Sequence, residues 1–345
     1  MKVKKLLCVL VAVCMVFTVV ACGAVTDNNS KNSNQGSNNN AGGQSAKEIV
    51  LKFGHVLAPT HPYNLGAEKF KEILEANAPQ PVRVEIYHSS QLGNERDLTE
   101  GLQLGTLDLA IAPGTITSFE PKMRVFGLPY IFKSREHAYK VLDGEIGKEL
   151  ASNLPSVNLR LLAYWENGYR QITNSKRPIY TPEDLKGIKL RVPENKVYVD
   201  TFTKWGANVT TMAFGELYTA LQQKAIDAQE NSIALVFTNK FYEVQKYISL
   251  SNHVYEPAPL LISQITWDKL SSEMQAAVQK AAEEARDYER KLLVDADKEH
   301  LEGLKKEGMQ VNEVDLEAFK KASEPVWDAY RSEFNEYIEK IQNVK

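Results

Sequence analysis

Cysteine is almost absent from this chain of 345 residues. Its three cysteines, Cys8, Cys14 and Cys22, lie inside or beside the first apolar run. The rest of the chain therefore has no disulfide, no thiol nucleophile and no cysteine metal site. Also missing are a Gly-rich phosphate loop, a GxSxG elbow, an HExxH motif and a paired zinc motif. These absences predict a protein that is not an enzyme and that holds no cofactor and no metal.

An excess of basic charge is missing as well. The chain has 41 Lys and Arg residues against 44 Asp and Glu, and Lys2, Lys4 and Lys5 precede the apolar run. The remainder is therefore net acidic, which argues against a nucleic-acid partner because that affinity comes from clustered basic side chains. The six histidines are scattered without helical ligand spacing. His55 alone follows a predicted strand and is expected to face a cleft.

The beginning of the chain has the features of an export signal. Three lysines precede an apolar run, 6–21, that is short for a membrane span and typical of a signal peptide. The run ends Val-Val-Ala-Cys, which resembles a bacterial lipobox. We therefore expect 1–21 to be a lipoprotein signal peptide and Cys22 to be lipidated, the alternative being a plain secretory signal with an incidental cysteine.

The segment that follows predicts how the protein is held. Residues 22–46 are dominated by Asn, Gly and Ser and have few apolar side chains. Such a segment cannot bury enough surface to offset its ordering entropy, so we expect a flexible tether. The sequence thus predicts an extracytoplasmic protein, attached by a lipid anchor to the outer face of the cell membrane.

Two segments of the remaining chain resemble each other. LTEGLQLGTLD at 98–108 and LYTALQQKAID at 217–227 share their Leu, small residue, Leu-Gln and aliphatic-Asp positions. Around each copy, alternating apolar runs predict strands and amphipathic runs predict helices. Each half is therefore predicted to be β-α-β-α-β, which gives an α/β fold of two lobes with mixed sheets flanked by helices. The elements predicted before each copy are 49–56, 66–77 and 82–87 in the first half, and 188–192, 196–205 and 208–212 in the second.

A long helix is predicted near the end of the chain. Residues 272–308 are rich in Ala, Glu, Lys and Leu. Ser272 and Gln275 have capping-box spacing, and Gly308 can end a helix in the left-handed conformation. A helix of this length spans about 54 Å, more than one small domain. We expect one helix lying across both lobes; two helices broken near 295–297 are the alternative.

The carboxyl ends of the predicted strands indicate where a ligand binds. In open α/β sheets, ligands bind beyond these ends, and two facing lobes would form a cleft that closes on a small molecule. Glu95 can accept hydrogen bonds from ligand hydroxyls, and Phe214 and Trp165 offer aromatic faces. The side chains expected in the cleft from this placement are His55, Glu95, Trp165, Glu194, Phe214 and Glu230.

Arg191 is the main candidate for binding an anion. It lies near the end of the predicted strand 188–192, which Pro193 terminates because proline lacks a backbone donor. An arginine fork binds a carboxylate bidentately, and inside a closed cleft this pair is desolvated. The alternative is a surface arginine paired with an acid such as Glu183 or Asp184.

Arg170 and Asn231 are the accompanying candidates. Arg170 follows a predicted turn at Asn167-Gly168 between two extended segments, where the chain is expected to cross between lobes. Asn231 closes an apolar strand and can both donate to and accept from a carboxylate or hydroxyl. Together with Arg191, these residues predict a small carboxylate as the ligand.

Six motifs extend these observations over most of the chain. Between about residues 49 and 308, the sequence resembles the DctP-type solute-binding proteins of tripartite ATP-independent periplasmic (TRAP) transporters, with the motifs in the same order. The motifs that carry the resemblance are SSQLGNERD, AYWENGYRQITNSKRPI, TPEDLKGIKLRVP, MAFGELYTALQ, IDAQEN and KFYEVQKYISLSNH.

The resemblance implies both a fold and residue roles. It implies that Arg191 forms the main salt bridge to the ligand carboxylate, with Arg170 and Asn231 beside it. It also implies that Phe214 is a cleft aromatic and that Glu95 contacts ligand hydroxyls. The family fold has two lobes that are discontinuous in sequence, with crossing strands and a long helix over both. On that pattern, lobe I comprises 47–167 with 256–296, and lobe II comprises 168–255 with 297–345.

The resemblance also implies the function. We expect capture of a small organic acid and its delivery to a TRAP permease with small and large membrane subunits. Sialic-acid-binding members have an asparagine where this chain has Glu194, which disfavours sialate. A sugar acid such as a uronate or a keto-gulonate is the preferred ligand. The alternatives are a four-carbon dicarboxylate binder, a ligand sensor for a receptor kinase, and a lipid-anchored hydrolase or lyase.

Overall fold

The computed structural model describes residues 47–345. The predicted signal peptide, the lipidation site Cys22 and the predicted tether lie outside these residues. Within the described part of the chain, no helix combines the length and the apolar character needed to cross a membrane.

The described residues form ten strands and eleven α-helices, joined by loops and short 3₁₀ turns. The strands are β1 Ile49–Gly54, β2 Val82–Tyr87, β3 Leu109–Ile111, β4 Leu159–Asn174, β5 Lys189–Val192, β6 Asn208–Thr211, β7 Ala228–Ser232, β8 Tyr247–Leu250, β9 Tyr255–Ser263 and β10 Gln310–Glu313. The helices are α1 Pro62–Asn77, α2 Glu95–Leu104, α3 Ile116–Phe119, α4 Arg135–Asp143, α5 Glu145–Ala151, α6 Lys196–Lys204, α7 Phe214–Gln222, α8 Ile233–Thr238, α9 Gln264–Trp267, α10 Ser272–Lys306 and α11 Leu316–Asn343.

The two halves predicted from the sequence have the same topology. In the first half, β1 lies between β2 and β3, and both pairings are parallel. In the second half, β5 lies between β6 and β7, again with parallel pairing. Helices α1 and α2 connect the first set, and α6 and α7 connect the second. The prediction of two β-α-β-α-β halves is therefore confirmed.

The first helix begins four residues earlier than the sequence pattern predicted. Pro62 occupies the first turn of α1, where its missing N–H needs no partner, and the His61 ring accepts a hydrogen bond from the backbone N–H of Tyr63. This proline signal was not used in the prediction of a helix over 66–77. The earlier start places Tyr63 in the first turn, at the carboxyl end of β1.

Strand β4 joins the two sets of strands. Its residues 159–169 pair with β9, which in turn pairs with β3. Its residues 170–174 pair with β7, and residues 172–174 also pair with β8 on the other side. The predicted turn at Asn167-Gly168 is wrong, because the strand continues through it. Gly168 has a φ of 96° and lies at a shift in the β4–β9 register, so its left-handed conformation serves a bulge.

Helix α10 is a single helix of 35 residues, and the alternative of two broken helices is wrong. It begins one residue after Ser271, whose hydroxyl accepts from the backbone N–H of Met274, so Ser271 rather than Ser272 is the N-cap. The helix packs against α1, β4 and α8, and so covers elements of both halves. Gly66 permits this packing, since a Cβ there would lie 2.6 Å from the Trp165 ring.

The C-terminal helix α11 also contacts elements from both halves. The Trp327 indole donates to the carbonyl of Pro129 at 3.0 Å, and the Tyr330 hydroxyl donates to Asp200 on α6 at 2.6 Å. These contacts connect α11 with the segment before α4 as well as with the second half. The predicted division of the chain into lobes I and II therefore stays a prediction in its boundaries.

Candidate functional site

A cavity of about 370 Å³ lies at the carboxyl ends of the parallel strands of both halves. From the first half, its lining comes from the segments after β1 and β3 and the first turns of α1 and α2. From the second half, it comes from the ends of β5, β6 and β7 and the start of α7. The middle of β4 and the beginning of β9 complete it. This is the position that the topology of open α/β sheets predicts for a ligand.

Arg191, on β5, lines the cavity and is only 2% exposed. Its Nε and Nη2 donate to the carbonyl of Met212 at 2.9 and 2.5 Å. No carboxylate of residues 47–345 forms an ion pair with it, so the alternative of a surface arginine paired with Glu183 or Asp184 is wrong. Burial lowers the pKa of Arg191 to about 10 despite the nearby charge of Glu230. Burying a cation without an anion is energetically unfavourable, and a bound carboxylate would compensate this cost.

Arg170, on β4, lines the same cavity but is already paired. Its Nε and Nη2 bind the carboxylate of Glu230, and its Nη1 binds Glu256. Nη2 also donates to the carbonyl of Glu230 at 2.6 Å, and the guanidinium lies 5.4 Å from the centre of the Tyr198 ring. Burial opposes its charge, but the two carboxylates raise the pKa of Arg170 further above its usual value. The expected contact of Arg170 with the ligand carboxylate stays a prediction.

Asn231 and Glu230 are neighbours on β7 with different positions. Asn231 lines the cavity, and its Nδ2 donates to Gln229 at 2.7 Å. The expectation that Glu230 lines the cavity is wrong, because its carboxylate points to the buried pairing with Arg170 and lies 3.2 Å from Nε2 of His253. Burial favours its neutral form, but Arg170 and the bond from His253 hold the pKa of Glu230 below its usual range. Glu230 does not line the cavity, but it pairs with Arg170, which does.

Glu95, the first residue of α2, lines the cavity from the first half. Asn94 caps this helix in a capping box with Asp97, which fixes the start of α2. One oxygen of Glu95 accepts from the backbone N–H of Gly114 at 2.8 Å, and a Cβ at Gly114 would lie 2.6 Å from that oxygen. Burial, followed by the charge of Glu256, raises the pKa of Glu95 to about 7. The position agrees with the predicted hydroxyl contact, which itself stays a prediction.

Phe214 and Glu194 line the cavity from the second half. Phe214 begins α7, and its ring centre lies 6.0 Å from that of Phe241. Glu194 follows β5 and forms an ion pair with Arg96 of α2, in which Nε of Arg96 donates at 3.1 Å. This pair connects the two halves at the cavity.

His55 and Trp165 do not line the cavity, contrary to expectation. The His55 ring is buried and lies 3.2 Å from the side-chain oxygen of Asn64, and burial lowers its pKa to about 4. Trp165 is fully buried on the side of β4 that faces α10, where its indole donates to the carbonyl of Ala282 at 3.3 Å. Its aromatic face packs in the core because α10 covers that side of the strand.

Tyr63 and Glu256 are among the cavity residues that the sequence reasoning missed. Tyr63 lines the cavity, and its buried hydroxyl has no hydrogen-bond partner in the described structure. Glu256, near the start of β9, lines the cavity as well. An acidic residue within the otherwise apolar stretch YEPAPLLIS is an anomaly that could have identified it. Across residues 47–345, no group of three or more potential ligands is placed to hold a metal ion.

The strand topology, the cavity and the helix across both halves define a two-lobed solute-binding protein. The chain belongs to the family of bacterial extracellular solute-binding proteins, family 7 (DctP), whose model matches residues 53–333. The predicted family is therefore confirmed, and members of this family are binders rather than enzymes.

Three similar proteins with stated ligands match most of this chain. The 2,3-diketo-L-gulonate-binding periplasmic protein YiaO of Escherichia coli strain K12 is 36% identical over 274 residues, which are 79% of this chain and 84% of that protein. The structure of a TRAP periplasmic solute-binding protein from Polaromonas sp. JS666, bound to D-erythronate, is 41% identical with a TM-score of 0.84, covering 86% of this chain and 99% of that one. The sugar acid binding protein DctPAm from Advenella mimigardefordensis, in complex with galactonate, is 34% identical with a TM-score of 0.84 and covers 86% and 98%.

Proposed function

We propose that the cavity binds a small sugar acid and that the protein delivers it to a TRAP permease made of small and large membrane subunits. The observation that carries the proposal is the unpaired guanidinium of Arg191, buried in the cavity wall without a carboxylate from residues 47–345. A ligand carboxylate would accept charge-assisted hydrogen bonds from it. Asn231, which lines the same cavity, is the polar group expected beside that carboxylate.

Two other residues that line the cavity support a hydroxylated ligand. Glu95 offers a carboxylate that accepts from hydroxyl groups, and the unpartnered Tyr63 hydroxyl can donate or accept. A site with fixed acceptors for hydroxyls discriminates against ligands that lack them, because its polar groups would then stay unpaired. Relatives bound to D-erythronate and galactonate, both hydroxylated monocarboxylates, support the same choice.

The proposed location follows from the sequence of the first 46 residues together with the periplasmic relatives. The lysines, the apolar run and the lipobox-like end are the features of an exported lipoprotein, with Cys22 as the lipidated residue. The protein is thus proposed to work outside the cytoplasm, tethered to the cell membrane. Mass spectrometry of the protein from membranes tests this: a diacylglyceryl group on Cys22 supports it, and an unmodified Cys22 contradicts it.

A thermal-shift screen tests the ligand class. The probes are D-galactonate, D-glucuronate, D-erythronate, 2,3-diketo-L-gulonate and succinate, with galactitol as the matched neutral control. A ligand at 100 times its Kd stabilises the folded state by about 2.7 kcal/mol, enough to raise the Tm by several degrees. We expect one or more sugar acids to raise the Tm and galactitol to leave it unchanged. A shift with succinate alone, or an equal shift with galactitol, would contradict the proposal.

A further inference from the structure

The charges that line the cavity nearly all have partners. Three arginines and four glutamates line it within the described part of the chain: Arg96, Arg170, Arg191, Glu95, Glu194, Glu216 and Glu256. Arg96 pairs with Glu194. Arg170 pairs with Glu256 and also with Glu230, which is buried and does not line the cavity. Glu216 is exposed to water. Arg191 is left without a carboxylate partner among residues 47–345, Glu95 forms no ion pair there, and Glu256 shares the single charge of Arg170 with Glu230.

Glu256 is held rigidly in the cavity wall. It is 4% exposed, and its Oε2 accepts from Nη1 of Arg170 and from the side-chain amide of Asn167. Its Oε1 accepts from the Tyr198 hydroxyl at 3.1 Å. Because every bond it makes is to a buried side chain, the carboxylate cannot turn away from the cavity to make room for another anion.

Tyr63 lines the same cavity as these carboxylates. Its hydroxyl is buried and has no protein partner among residues 47–345. Burial and the charges of Glu256, Glu289 and Glu95 raise its pKa well above the usual value, which keeps the hydroxyl protonated and able to donate. A buried hydroxyl without a partner is satisfied only by a ligand group or water. A ligand hydroxyl can pair with such a donor and with carboxylate acceptors, whereas a ligand carboxylate meets like charge.

We propose that Glu256, together with Glu95, is a specificity determinant that excludes a second carboxylate, so that the cavity selects hydroxylated monocarboxylates over dicarboxylates of the same length. This inference rests on the proposed function, in which Arg191 holds the first carboxylate. Two fixed carboxylates in a desolvated cavity repel a second ligand carboxylate strongly. In this inference, Arg191 binds the first carboxylate, and Glu256 and Glu95 act on a second one.

Calorimetry with matched ligands at pH 8 tests the inference. D-galactonate and galactarate share six carbons and their hydroxyl configuration, and they differ in whether C6 is a hydroxymethyl or a carboxylate. D-gluconate and D-glucarate provide the same comparison for the gluco configuration. We expect the wild type to bind the monoacid at least about 100-fold more tightly than the diacid.

Variants of Glu256 and Glu95 show which residue causes the preference for the monoacid over the diacid. Glu256→Gln should reduce the ratio of the two affinities by about 10-fold or more, since it removes the fixed charge and keeps the side-chain shape. Glu183→Gln, which removes an exposed carboxylate, should leave the ratio unchanged because water and salt screen that charge. Glu95→Gln is a second test and should lower the ratio too. Within the described residues Glu95 forms no ion pair whose loss could unfold the protein.

The outcomes separate this inference from the proposed function. If the wild type binds monoacid and diacid equally, or if neither Glu256→Gln nor Glu95→Gln changes the ratio, the inference is wrong while sugar-acid binding stands. If no sugar acid binds the wild type, both are wrong. A ratio that falls in both variants and not in Glu183→Gln supports the inference.

Discussion

The middle of β4 and the end of β5 each place a buried arginine at the same cavity, and the two arginines have opposite surroundings. Arg170 and Arg191 are both 2% exposed. Arg170 is balanced by Glu230 and Glu256, whereas Arg191 donates only to the carbonyl of Met212 among residues 47–345. Burial alone therefore does not identify a binding residue. A buried arginine with an internal counter-charge forms a structural ion pair, whereas one without a counter-charge is free to bind an anionic ligand.

The difference between the two arginines should be largest in the free energy of unfolding after each is replaced by a neutral residue. Arg170→Gln leaves Glu230 and Glu256 buried without their counter-charge, which should destabilise the protein by about 3–5 kcal/mol. Arg191→Gln removes a cation that burial already disfavours, so the ligand-free protein should be equally stable or more stable. Urea unfolding of both variants and the wild type measures the difference. Equal destabilisation by the two substitutions would contradict the distinction between them.

The ion pair between Arg96 and Glu194 should have a smaller effect, because both side chains are partly exposed. It connects the two halves at the cavity, so its loss should favour a more open arrangement of the site and weaken ligand binding. An exposed pair contributes about 0.2–1 kcal/mol, which corresponds to a Kd increase of about 1.5- to 5-fold for Arg96→Gln or Glu194→Gln. Calorimetry with the tightest-binding sugar acid from the screen measures it.

A control on the same helix sharpens that prediction. Glu100 also lies 3.5 Å from Arg96, but it is on α2 itself and does not connect the halves. Glu100→Gln should therefore leave the Kd unchanged. Losses of more than about 10-fold in Arg96→Gln would mean that Arg96 touches the ligand directly, and no loss would mean that the pair does not stabilise the bound form.

A separate effect is a pH dependence of stability that comes from Glu95, which lines the cavity. The pKa of Glu95 rises from 4.5 to about 7 through burial and the charge of Glu256, so the folded protein keeps a proton that the unfolded chain releases. Between these two pH values, the contribution of Glu95 to the free energy of unfolding should fall as the pH rises, and it should level off above about 7.

Comparison with Glu95→Gln isolates this contribution. The wild type should lose stability relative to Glu95→Gln as the pH rises from 5 to 7, with only a small further loss from 7 to 8. Urea unfolding of the two ligand-free proteins at each pH measures the difference. A difference that is constant or that grows in favour of the wild type would contradict a Glu95 carboxyl buried against Glu256.

Local sequence patterns predicted the elements and their order well. The repeated β-α-β-α-β plan and the long helix depend on apolar periodicity within short segments, which the sequence displays directly. The position of Arg191 followed for the same reason, since the carboxyl end of a strand in such a plan faces the ligand. Helix starts were less accurate, as α1 shows, because a single proline decided the first turn.

Contacts between distant strands could not be predicted from those patterns. The register of β4 against β9 places Glu256 opposite Gly168, where no side chain opposes it, and this register shifts at the bulge. The pairing of Arg170 with Glu256 joins residues that are 86 positions apart, so nothing local indicates that this guanidinium has an internal partner. Trp165 was misplaced for the same reason, because the packing of α10 decides which side of β4 is covered.

The most direct test of the account is a calorimetric cycle between the Arg191 guanidinium and the ligand carboxylate. D-galactonate and galactitol, or the best-bound sugar acid and its alditol, are each titrated into the wild type and into Arg191→Gln. A buried charge pair of about 2–5 kcal/mol predicts that the wild type prefers the acid by about 30- to 5,000-fold, and that Arg191→Gln loses this preference while staying folded. If Arg191→Gln binds the acid with unchanged affinity, or keeps the full preference over the alditol, Arg191 is not the residue that holds the carboxylate.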